Sequence, residues 1–71
     1  MKYEVKSPMP ATVLEILVKP GEMVNEKTIV ATLESMKMEM PIFADADGTV
    51  TAVSAAPNTT VPKGGVLVVI E

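Results

Sequence analysis

Residues 26–40 read Glu26-Lys27-Thr28-Ile29-Val30-Ala31-Thr32-Leu33-Glu34-Ser35-Met36-Lys37-Met38-Glu39-Met40, and two folds compete for them. Ile29, Leu33, Met36 and Met40 are spaced 4, 3 and 4 apart, with Asn25 available as a cap and Pro41 as a stop, so the stretch makes a respectable amphipathic helix. A strand over 29–34 is the rival. The choice is made elsewhere in the chain. At an offset of 37 residues, Ala11 through Glu34 matches Gly48 through Glu71 without a gap. Thr12 and Thr49, Val13 and Val50, Pro20 and Pro57, Val24 and Val61, and Glu34 and Glu71 are identical, while Ile16 with Val53 and Leu33 with Ile70 agree in chemistry. The counterpart of the disputed stretch is Lys63-Gly64-Gly65-Val66-Leu67-Val68-Val69-Ile70-Glu71, whose two glycines and β-branched run oppose a helix. Two halves related by duplication share one backbone. Strands are therefore expected at 29–34 and 66–71, and an all-β fold with them.

Outward from there, Ala11 to Val18 and Gly48 to Ala55 are apolar and β-branched and read as a second pair of strands. Their shared apolar positions 13 and 16 break strict alternation, as a bulge does, or a strand that passes between two sheets. Both strands are closed by a proline-led turn. Pro20-Gly21 and Pro57-Asn58 read as one turn built twice, because proline presets position i+1 and Gly and Asn accept the positive φ that follows. Pro8 and Pro10 bracket Met9 in a segment expected to be extended, and Pro41 is expected where no ladder needs its missing N–H.

The 71 residues fit one domain, 1–71, with a core that buries only about 60% of the unfolded surface. That core is aliphatic, since Tyr3 and Phe43 are the only aromatic residues. The chain has no Cys, His, Trp or Arg, and its six lysines against nine carboxylates leave a net charge of −3. Structural zinc, imidazole- or thiol-based triads and bidentate arginine recognition of phosphate are thereby excluded, and nucleic acid is not an expected partner. The opening Met-Lys-Tyr-Glu-Val has no apolar region after it, and the apolar run Val66 to Ile70 is too short to span a bilayer. A soluble cytoplasmic domain without a targeting segment or membrane insertion is the expectation.

The chemistry converges on Lys37. Between the repeat units, Glu34-Ser35-Met36-Lys37-Met38-Glu39-Met40 holds three of the six methionines, where the chain must turn back. Together with Ser7-Pro8-Met9-Pro10, Val18-Lys19-Pro20-Gly21-Glu22-Met23-Val24 and Gly48-Thr49-Val50, this stretch resembles the biotin carboxyl carrier (biotinyl) domains of biotin-dependent carboxylases, decarboxylases and transcarboxylases. The resemblance covers nearly the whole chain, and Met-Lys-Met at its midpoint is the most specific part. It implies a flattened barrel or sandwich of two four-stranded antiparallel sheets, with Lys37 on an exposed hairpin turn and biotin amide-linked to it by biotin protein ligase. It further implies a non-catalytic carrier that shuttles carboxylate between a biotin carboxylase or decarboxylase and a carboxyltransferase. Met36 and Met38 would flank the attachment point, with Glu34, Ser35 and Glu39 available to the ligase. Ser35 stands where the family usually has Ala, Ala11 where Gly commonly follows Met-Pro, and Asn58 for the Gly of the second turn. The short span between the units matches the thumbless type. A lysine suits the role because it is a long flexible stem whose amine is nucleophilic once deprotonated.

Plainer readings apply to the remaining residues. Lys2, Lys6, Lys19, Lys27 and Lys63 are solvated charges, and Met9 and Met23 are expected as core filler, with Met36 and Met38 able to anchor the turn. Glu34 and Glu39 are hairpin charges without a partner that would make them acid–base catalysts, and Asp45, Asp47 and Gly48 form a loop with too few oxygen ligands for calcium. Three rival functions stand beside the carrier. A lipoyl carrier shares the fold but typically has Asp-Lys-Ala at the turn. A Cu(I) binder would use Met36, Met38 and Met40 on one face of an extended strand. An unmodified barrel-sandwich module would serve only as an interaction domain.

Overall fold

The computed structural model describes residues 2–71, which form eight strands and no helix. In chain order these are β1 (Tyr3–Lys6), β2 (Ala11–Ile16), β3 (Met23–Val24), β4 (Ile29–Ser35), β5 (Met38–Phe43), β6 (Gly48–Val53), β7 (Thr60–Val61) and β8 (Val66–Ile70). They build two four-stranded antiparallel sheets, in the orders β1-β8-β6-β3 and β5-β4-β2-β7. Strands replace the helical alternative over 26–40. A helix would have buried Ile29, Leu33, Met36 and Met40 on one face, whereas Leu33 is buried and Ile29 and Met36 are exposed.

The duplication is longer than the sequence shows. Val5 faces Val68 as Ile42 faces Ala31, and Lys6 faces Val66 as Phe43 faces Ile29, each pair related to the other by the same 37-residue offset. The repeat expected over 11–34 and 48–71 therefore runs from 3 to 34 and from 40 to 71. Residues 3–10 and 40–47 share no identical residue at that offset, so only their backbone carries the relation. The buried pair Ser7 and Ala44 shows what survives, namely a small side chain under the sheet.

Bulges explain why the apolar pattern departs from alternation. In β2 the pairing jumps from Val13↔Leu33 to Glu15↔Thr32 and leaves Leu14 extra; in β6 it jumps from Val50↔Ile70 to Ala52↔Val69 and leaves Thr51 extra. The extra residue puts Val13 and Ile16 on the same side, with Ile16 reaching both apolar clusters. A second pair of bulges sits at Val30 in β4 and Leu67 in β8, and there two consecutive residues, Val30-Ala31 and Leu67-Val68, are buried. The core gathers around Val30, Ala31, Val50, Val68 and Ile70 on one side and Val13, Leu33 and Leu67 on the other.

Both proline turns form. Glu22 N donates to the Lys19 carbonyl across Pro20-Gly21, with Gly21 at φ +93, and Asn58 takes φ +66 in the matching turn. Each turn is stitched to the opposite repeat, Gly21 N to the Val50 carbonyl and Asn58 N to the Val13 carbonyl, both at 2.7 Å. The turn strands end at Ile16 and Val53, two residues short of the expected 18 and 55, as the chain leaves for these turns.

Two further expectations are corrected. Pro8, Met9 and Pro10 form a bend instead of an extended segment, with the Ser7 hydroxyl donating to the Met9 carbonyl. Met9 and Met23 are not core filler. Met23 is 81% exposed because in the two-residue edge strand β3 alternation gives the inward position to Val24, and Met9 is carried outward by the bend. Pro41 lies inside β5, an edge strand of its sheet, where a missing N–H costs no ladder bond and blunts the open edge.

Candidate functional site

Strands β4 and β5 form the one hairpin that joins the repeats, and residues 35–39 fall between the duplicated units. Pairing continues up to Ser35↔Met38, which leaves a two-residue loop of Met36 and Lys37. Their φ values are +54 and +65. Two consecutive left-handed residues are the signature of a type I′ turn, whose twist matches the strands that feed it. Such turns favour Asn and Gly, since a side chain in this region costs about 1–2 kcal/mol per residue. Met36 and Lys37 bear that strain because the β4–β5 ladder below them is long and closed.

The turn lifts its side chains away from the body. Lys37 is exposed, Met36 is 88% and Met38 64% exposed, and Met40 is half-buried against the cluster of Leu33. The flanking methionines thus do not anchor the turn by burial, as the sequence had allowed; the ladder does that. Nor do Met36, Met38 and Met40 share one face of an extended strand, because Met36 is in the turn. Among the described residues the ion pair is Lys6–Glu4 at 3.9 Å, so the Lys37 ammonium is held by no carboxylate.

Beneath the tip, Glu34 faces Glu39 directly across the ladder. Like charges opposed in this way are mildly destabilising. Ser35 is half-buried and lines a shallow groove of about 560 Å³ at the foot of the hairpin, bounded by Pro10–Thr12, Glu34–Met36 and Thr60–Pro62. Sequence reasoning did not find this groove, because β7 reaches it only by pairing with the start of β2, Ala11↔Val61 and Thr12↔Thr60. The repeat held the signal, since β7 stands to β2 as β3 stands to β6. Asp45 lies in the loop before β6 with φ +57, and an Asp47 carboxylate oxygen accepts from Glu26 N at 3.1 Å. Gly48 opens β6, as the strand expected from residue 48 has it, and so stands after the loop of Asp45 and Asp47.

A family model described as "Biotin-requiring enzyme" matches residues 3–70. The chain is 34% identical to the biotinylated protein TB7.3 homolog of Mycobacterium leprae (strain TN) over 71 residues, all of both chains. It is 42% identical to the biotin carboxyl carrier protein of Streptococcus mutans over 64 residues, 90% of this chain and 49% of that one. Against the human mitochondrial propionyl-CoA carboxylase alpha chain it is 39% identical over 67 residues, 94% of this chain and 9% of the relative. Apart from the Mycobacterium protein, then, these relatives extend well beyond the region matched. Among solved structures, the Kluyveromyces lactis urea carboxylase superposes with a TM-score of 0.91 at 22% identity, over 100% of this chain and 6% of that one. A single-chain, multi-domain long-chain acyl-CoA carboxylase superposes with a TM-score of 0.89 at 24% identity, over 96% and 7%. These two likenesses concern the fold.

Proposed function

The chain belongs to the biotin-requiring family as a biotin carboxyl carrier domain, and from that premise we propose that Lys37 is its biotin attachment residue. The observation that carries the assignment is the hairpin itself. Lys37 is exposed, unpaired by any carboxylate and raised on a two-residue turn, so its amine can enter another protein's active site while the sheets stay folded. Among the six lysines no other is flanked by methionine on both sides.

The residues fit the group. The ammonium first gives up a proton. The neutral Nζ then attacks the carbonyl carbon of biotinyl-adenylate held by a biotin protein ligase, the acyl–phosphate bond breaks, AMP leaves, and the nitrogen sheds a second proton to become the amide. When bound, biotin supplies a ureido ring that carries a carboxyl group. The domain contributes reach and high local concentration: the turn holds the lysine stem at the molecule's edge, and the closed ladder keeps the root of the arm fixed. Lacking imidazole, thiol and guanidinium, the chain serves as a carrier and leaves catalysis to its partners. Those partners are a biotin carboxylase and a carboxyltransferase, in keeping with the carboxylase chains among its relatives. Glu34, Ser35 and Glu39 form the face offered to the ligase. A cytoplasmic setting accords with a cysteine-free composition.

Biotin is preferred over lipoate because Met36 and Met38 flank the lysine and because the relatives are named as biotinylated or biotin carrier proteins. The test is peptide mapping by mass spectrometry after incubation with biotin, ATP and a biotin protein ligase. One biotinyl adduct on Lys37, absent in Lys37→Arg, is expected. A lipoyl adduct, or an unmodified chain beside a carrier that is modified, overturns the proposal.

A further inference from the structure

Two thioethers stand in solvent on either side of Lys37. Met36 is 88% exposed and Met38 64%, while Met40, next on the same side of β5, is half-buried beside Leu33. Packing is what ordinarily shields methionine sulfur from oxidants, and the turn removes it from the two residues that flank the lysine. A lysine stem reaches only roughly 6 Å from its Cα, judged from ordinary bond lengths. An enzyme that grips the Nζ must therefore touch Met36 and Met38 as well.

We propose that Met36 and Met38 form a reversible oxidation site that controls the loading of Lys37; the proposal rests on Lys37 being the attachment residue. A peroxide supplies the oxidant. The sulfur lone pair attacks a peroxide oxygen, the O–O bond breaks and water leaves, so the thioether becomes a sulfoxide as the peroxide is reduced by two electrons. A thiol-dependent methionine sulfoxide reductase reverses the change, with two thiols oxidised to a disulfide and the oxygen released as water. The consequence is local. Flexible apolar side chains that adapt to a partner's surface become polar and chiral, and the hairpin loses the apolar contact that surrounds the amine. Among the described residues no methionine is fully buried and only Met40 packs against the core, so oxidation of Met36 and Met38 leaves the fold in place.

Met23 provides an internal control, being 81% exposed on β3 in the opposite sheet. The unbiotinylated protein is treated with limiting hydrogen peroxide, then offered to a biotin protein ligase, and mass spectrometry follows biotin on oxidised and unoxidised molecules in one reaction. Met36, Met38 and Met23 should oxidise ahead of Met40. Molecules carrying both hairpin sulfoxides should load at least about fivefold more slowly, in line with the loss of buried thioether contacts. The double variant Met9→Leu/Met23→Leu should show the same slowing, which assigns it to the hairpin, and sulfoxide reductase with dithiothreitol should restore the rate. Equal loading of oxidised and reduced hairpins overturns the proposal, as does Met40 reacting as early as Met36. Slow loading accompanied by loss of the β-sheet circular dichroism signal also overturns it, since unfolding would then be the cause. If the untreated protein takes no biotin on Lys37, the attachment assignment itself fails and this inference falls with it.

Discussion

Lys37 owes its accessibility to a backbone conformation that neither it nor Met36 favours. With φ values of +54 and +65, the turn places two long side chains where Asn and Gly are usual. Met36→Asn should therefore stabilise the domain by about 0.5–1 kcal/mol in urea denaturation, since Asn tolerates the left-handed region. An unchanged or lower midpoint would mean that the strain is absorbed elsewhere. Lys37→Arg should abolish biotin incorporation yet leave the thermal midpoint within the few tenths of a kcal/mol typical of an exposed substitution. A collapse of the cooperative transition in that variant would make the lysine structural. Lys37, the residue proposed for attachment, stands out in the sequence because Met-Lys-Met sits at the repeat junction. Its turn type does not, because the Asn-Gly signal of such hairpins is missing and the ladder imposes the geometry.

Strand pairing sets which residues face each other, and this decides the energetics one level up. Glu34 and Glu39 are opposed across β4 and β5, a repulsion kept beside the Met36-Lys37 turn. Glu39→Gln should raise stability by about 0.2–1 kcal/mol and at the same time slow loading by the ligase. A variant that loads as fast as the parent would remove Glu39 from the recognition face. At the start of β6, a methyl group on Gly48 would meet the Glu71 carbonyl oxygen at 2.6 Å. Gly48→Ala should cost about 1–3 kcal/mol in thermal or urea unfolding, as overpacking does. Its counterpart in the repeat is Ala11, where a methyl group is buried, so Gly48 answers to this close neighbour and to its own φ of +157. The bulges at Leu14 and Thr51 belong to this scale too. The 13-to-16 spacing announced an irregularity, and pairing showed that an extra residue causes it.

In the molecule as a whole, stability and function occupy separate regions. A domain of 71 residues has a small margin, on the order of 5 kcal/mol, so Leu33→Ala, at a fully buried site, should remove about 2–5 kcal/mol and most of the folded population on heating. The measurement is the unfolding midpoint; a loss below about 1 kcal/mol would place Leu33 outside the core. Biotin loading at a temperature where the variant is folded should be unaffected, since the hairpin tip lies outside the packed interior. Composition and a 24-residue self-match at an offset of 37 were enough to read an all-β chain and two proline turns, because turn chemistry and motif spacing are local properties. The true length of the duplication, the outward placement of Met9 and Met23, the strained turn and the groove against β7 were decided by tertiary structure. The length of the duplication, the edge position of Met23 and the groove depend on pairing between residues far apart in the chain, whereas the turn is imposed by the β4–β5 ladder and Met9 is set by a local bend. A backbone register can persist where side chains share no identity, as between residues 3–10 and 40–47, and sequence comparison then has nothing left to match.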